Sequence, residues 1–66
     1  MKIKRFESRD EAQVVADALH RANKKQFFVG NIILLAWYVW MRTTGGIVLF
    51  LCEDCKFRAR CETDDN

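Results

Sequence analysis

Residues 27–53 read FFVGNIILLAWYVWMRTTGGIVLFLCE, a run dominated by aromatic, β-branched and Leu side chains and punctuated at Gly30-Asn31 and at Thr43-Thr44-Gly45-Gly46. Side chains of these types pack well on a pleated, half-buried surface, so the run reads as strands rather than as helix. Gly30-Asn31 has the chemistry of a two-residue hairpin turn between Phe27–Val29 and Ile32–Leu35. Thr43–Gly46 separates Ile32–Arg42 from Ile47–Glu53, and its paired glycines supply the positive φ angles that a tight reversal needs. Closing the second hairpin around Thr43–Gly46 sets Arg42 opposite Ile47, Trp40 opposite Leu49 and Tyr38 opposite Leu51. Trp37, Val39 and Met41 then share the other face with Val48, Phe50 and Cys52. Both faces are apolar, unlike a sheet with one wet side.

Upstream, Lys2, Ile3 and Lys4 alternate charge and apolar character, the pattern of an edge strand over Met1–Phe6. Ser8-Arg9-Asp10-Glu11 matches a capping box, in which the Ser8 hydroxyl accepts a backbone N–H and Glu11 reaches back to the cap residue. A helix therefore starts at Arg9. Ala12, Val15, Ala16, Leu19 and Ala22 fall on one stripe of that helix, with Gln13, Asp17, Arg21 and Lys24 on the opposite side. Asp10 and Glu11 in the first turn and Lys24 and Lys25 in the last complement the helix dipole.

A chain of 66 residues forms one domain at most, and one this short buries only ~60% of the surface its unfolded chain exposes. The expected fold is α+β, an amphipathic helix on a small antiparallel sheet in the order β-α-β-β-β, with residues 1–61 as the domain and 62–66 as an acidic tail. One helix covers one face. The strip of Trp37, Val39, Met41, Val48 and Phe50 is expected to stay uncovered and to be satisfied by a second copy in a homodimer or by a protein partner.

Cys52, Cys55 and Cys61 form C-x2-C-x5-C around Glu53-Asp54 and Lys56-Phe57-Arg58-Ala59-Arg60. Thiolates at this spacing reach one metal from a turn. The string resembles the cysteine motif of WhiB-type iron–sulfur regulators and of nucleases with a C-terminal iron–sulfur staple. That resemblance implies a four-iron cluster held by these three Cys and a fourth. Both families place the fourth Cys far upstream, and this chain has only three. His20, Asp54 or a group from a second copy are the candidate fourth ligands, and Cys3His suits zinc better than an iron–sulfur cluster. The competing readings are a buried strand residue at Cys52, with Cys55 and Cys61 as free thiols or a disulfide pair, and a redox C-x-x-C. No cofactor is the leading expectation.

The net charge is only +2, but Glu62, Asp64 and Asp65 lie in the tail, leaving 11 basic against 6 acidic groups in residues 1–61. Lys2, Lys4, Arg5, Lys24, Lys25, Lys56, Arg58 and Arg60 are candidates for a basic surface. No helix-turn-helix or RNA-recognition motif accompanies them, which keeps nucleic acid a minor expectation. One His, no phosphate loop and no serine elbow argue against an enzyme. The odd cysteine count and the charged start point to a reducing, cytoplasmic compartment. The apolar run from Phe27 to Met41 is short of the ~20 residues a membrane helix needs. The expected function is a small interaction module, an inhibitor or regulator of the kind mobile elements encode. The alternative is a zinc- or iron–sulfur-binding regulator that touches nucleic acid through Lys56, Arg58 and Arg60.

Overall fold

The structure, a computed structural model, describes residues 2–32 and 36–60. One helix, α1 (Arg9–Asn23), is followed by strands β1 (Phe27–Ile32), β2 (Ala36–Arg42), β3 (Val48–Leu51) and β4 (Phe57–Arg58). The strands form an antiparallel meander in sheet order β1-β2-β3-β4, with α1 packed on one side. The α+β class and the helix-on-sheet arrangement are as the sequence leads one to expect.

The helix begins where the cap chemistry places it. Ser8 is extended, and its Oγ accepts the Glu11 N–H at 3.1 Å. Glu11 reaches back one residue further than a capping box prescribes, its Oε1 accepting the Glu7 N–H at 3.3 Å. At the other end Lys24 turns left-handed (φ 58°) and its N–H closes on the His20 carbonyl at 2.7 Å. Ala12 and Ala16 are fully buried, because small side chains let the helix lie close against the strands, and Val15 and Leu19 flank them. Ala22 is exposed, since the last turn runs past the sheet.

Phe6, Ala12, Ala16, Val39 and Leu51 make the core, with Phe27, Val29, Trp37 and Phe57 packed around it. Val39 is 0% exposed, and burying such a side chain contributes about 1.5–3 kcal/mol.

Three features correct the sequence reading. First, Gly30-Asn31 is not a turn. It lies inside β1, with Gly30 opposite Tyr38 and Asn31 opposite Trp37, and the chain reverses between Ile32 and Ala36. Leu35, the expected end of a strand, lies outside the described residues. Second, the β2–β3 loop holds three residues rather than four. Thr43 stays in the ladder, its N–H donating to the Ile47 carbonyl at 2.9 Å, and only Gly46 needs positive φ (87°). Trp40 therefore faces Phe50, Met41 faces Leu49 and Arg42 faces Val48. A one-residue shift in pairing moves a whole strand's side chains to the other face.

Third, residues 2–6 pair with the sheet as a first strand is expected to, but through two bridges from within it rather than along its edge. The β2–β3 ladder stops at Trp40 and Phe50, and the N-terminal segment occupies the gap beyond it. Phe6 exchanges both backbone hydrogen bonds with Trp37, at 2.8 and 2.9 Å. Lys4 N–H donates to the Leu51 carbonyl and Glu53 N–H to the Lys2 carbonyl, both at 2.9 Å. Cys52 N–H points the opposite way, to the Lys56 carbonyl in the β4 direction, so the segment sits on the β2 side of β3. Ile3 and Phe6 are buried in that gap, at 6% and 8% exposure. Burial on this scale outweighs the edge-strand pattern of the flanking lysines.

Candidate interaction face

Side chains alternate along each strand, so the register assigns every residue to a face. The side of the sheet on which the helix packs carries Phe27 and Val29 of β1, Trp37, Val39 and Met41 of β2, Leu49 and Leu51 of β3 and Phe57 of β4. The opposite face carries Phe28, Gly30 and Ile32, then Tyr38, Trp40 and Arg42, then Val48 and Phe50, and finally Arg58. The pairings Phe28–Trp40, Trp40–Phe50 and Phe50–Arg58 line up as a single row across all four strands. No described element lies over this row.

The expected strip is thus split by the register. Trp37, Val39 and Met41 belong to the helix side, with Val39 and Met41 buried, while Val48 and Phe50 belong to the open side and are half-buried. The open face is built instead around Trp40, Tyr38 and Phe28. Its sequence signal was present in the density of apolar residues from Phe27 to Cys52, but assigning it needed the loop length.

The open-face rings pack on one another. Phe28 and Trp40 stack with centroids 4.4 Å apart and planes 25° from parallel, and Tyr38 meets Phe50 at 5.8 Å and 51°. The Tyr38 ring also covers Gly30. A Cβ built there would sit 2.6 Å from Tyr38 Cε1, inside any van der Waals contact. A glycine in mid-strand under an aromatic ring is a known way to restore the packing that the glycine lacks.

Charge borders this face at two corners. At the β4 edge Asp54 accepts a bidentate pair from Arg58, at 2.8 and 2.6 Å. The Arg58 hydrogen bonds hold the Asp54 carboxyl well below the usual carboxylate range, at about 2, and the Lys56 N–H adds to the effect. Asp54 raises the Arg58 guanidinium in return. Arg42, at the opposite corner, is exposed and has no ion pair among the described residues.

The remaining basic residues do not gather on one surface. Lys24 and Lys25 follow the helix at the β1 edge, whereas Lys56, Arg58 and Arg60 lie on and beside β4, three strand spacings away.

The cysteine motif opens on the β3–β4 loop. Cys52 and Lys56 close a three-residue loop of Glu53, Asp54 and Cys55, and Cys55 takes the left-handed position (φ 67°) that Gly46 takes in the preceding hairpin. Cys52 is fully buried and disulfide-bonded, and Cys55 is exposed with a free thiol. Cys61 lies outside the described residues. His20 sits on α1, its Nδ1–H donating to the Lys25 carbonyl at 2.6 Å. Among the described residues no three His, Cys, Asp or Glu side chains come together as a ligand set. Nor is any helix among the described residues long and apolar enough to cross a membrane.

Comparison with known proteins places no relative beside the chain: no family model, curated protein or solved structure matches it.

Proposed function

We propose that the chain is a non-enzymatic binding module that docks another protein through the open sheet face, and so inhibits or regulates that protein. One observation carries this reading: Phe28, Tyr38 and Trp40 gather on the sheet face opposite the helix, in an apolar row that runs on to Phe50. Apolar surface gathered in this way is a feature of binding sites rather than of idle protein surface. Ring geometry favours a protein over nucleic acid as the partner. Bases stack on rings that present an open flat side, whereas Phe28 and Trp40 spend a flat side on each other. Arg42, the one charge on the face without an ion pair among the described residues, calls for an anionic group at the rim of the partner's surface.

The test is photo-cross-linking in the native host. A benzophenone side chain is placed at Phe50 on the open face, and in a second version at Val14, which is 65% exposed on the helix. A discrete cross-linked protein from position 50, absent from position 14 and lost with Trp40→Glu, is the expected result. Equal labelling from both positions, or none from position 50, refutes it. Light scattering on the purified chain identifies self-pairing, because a second copy on the face gives about twice the 7.8 kDa chain mass.

A further inference from the structure

Where the helix exit meets the β2–β3 loop, Lys25, Gln26, Met41, Arg42, Thr43 and Thr44 line a cleft of about 330 Å³. That volume lies at the lower end of the range of small-ligand sites. Its lining is one-sided in charge: two cations, two hydroxyls and an amide, with no carboxylate. Neither Lys25 nor Arg42 is ion-paired among the described residues, although six carboxylates lie within residues 2–60.

The surrounding structure anchors the backbone that carries the donors. The Lys25 backbone is held by His20 Nδ1–H on its carbonyl. Thr43 Oγ1 accepts the Ile47 N–H at 3.2 Å, which occupies a lone pair and leaves the hydroxyl proton to donate elsewhere. Arg42 is anchored in the β2–β3 ladder opposite Val48, and its planar fork suits two oxygens of one anion. Met41, only 8% exposed, supplies an apolar wall.

From this we infer that the cleft is an oxyanion site that takes the phosphate group of a phosphate ester. Two cations match a dianion, the hydroxyls and the amide serve its remaining oxygens, and the apolar wall leaves room for the ester's organic part. The inference does not depend on a protein docking on the open face.

The experiment is a 15N–1H NMR titration of the intact chain with inorganic phosphate, with phenyl phosphate and with acetate, at constant ionic strength. Phosphate and phenyl phosphate are expected to give saturating shifts at Lys25, Gln26 and Arg42–Thr44, with midpoints of about 10 mM or tighter. Acetate is expected to bind at least about fivefold more weakly, a difference of ~1 kcal/mol. Lys25→Gln and Arg42→Gln each weaken phosphate binding at least about fivefold, while Lys56→Gln at the far edge changes it less than about twofold. Both site residues are exposed, and the same spectra report whether each variant is folded. Shifts spread equally over Lys56, Arg58 and Arg60, acetate binding as well as phosphate, or no saturation by about 50 mM would each overturn the inference. A tighter midpoint for phenyl phosphate than for phosphate identifies an ester as the ligand, and a looser one refutes the role given to the Met41 wall.

Discussion

Replacing Gly30 with Ala tests the packing of the open face in a single atom. The new methyl would enter the space held by the Tyr38 ring, whose Cε1 and hydroxyl oxygen lie 2.6 Å from its position. Ordinary contact begins near 3.4 Å, so the ring must swing away. Swinging breaks its contact with Phe50, centroids 5.8 Å apart, which is worth about 0.5–1.5 kcal/mol. It also uncovers on the order of 40 Å² of apolar surface, costing about 1 kcal/mol more. Against this, Ala in a strand is better than Gly by roughly 0.5–1 kcal/mol. The net expectation for Gly30→Ala is a loss of about 1 kcal/mol.

In a Tyr38→Ala background the two penalties vanish and the strand preference remains. There the same substitution is expected to stabilise by roughly 0.5 kcal/mol, a coupling of about 1.5 kcal/mol between the two positions. Urea unfolding followed by the fluorescence of Trp37 and Trp40 gives all four corners of the cycle. If Gly30→Ala costs the same with and without the Tyr38 ring, the ring is not what the glycine accommodates, and the reasoning fails. That result would also be expected of a glycine in a tight turn, so the cycle checks the register as well.

Two further outcomes follow from the local geometry. Ser8→Ala removes the acceptor of the Glu11 N–H and is expected to lower stability by about 1 kcal/mol, measured by the same unfolding; a loss under ~0.3 kcal/mol would mean that the cap contributes nothing. Asp54 has a folded pKa of about 2 against an ordinary 3.8, so its pairing with Arg58 stabilises the fold above pH 4. That contribution is lost as the pH falls from 4 through 2, and Asp54→Asn should flatten this part of the stability profile; an unchanged slope refutes the role of the pair.

Most of the helix was legible because its signals are local. Ser8, the alanine stripe and the charged ends each act within a turn or two of their own position. The sheet was legible in kind but not in register. Whether Thr43 belongs to the loop or to the ladder changes the hairpin by one residue, and that residue decides whether Val39 and Phe50 share a face. Gly30 misled for a related reason: the same residue type serves a turn or lies under an aromatic ring, and the choice depends on Tyr38, eight positions away. The N-terminal segment was the least legible, since its partners Trp37 and Cys52 are supplied by the far half of the chain. For the candidate site, the excess of apolar surface could be read in advance, and its membership could not.

The N-terminal segment sets a constraint on the order of folding. The helix and the β2–β3 hairpin close short loops, but Lys2 and Lys4 join Glu53 and Leu51 across nearly the whole described chain. Closing so long a loop costs entropy that only the finished sheet repays, so these contacts should form late and limit the rate. During synthesis residues 2–6 must wait for the later strands before they have a place to bind. Until then Ile3, Phe6 and the open ends of β2 and β3 remain available to other chains, and the nascent protein is most prone to aggregation in that interval.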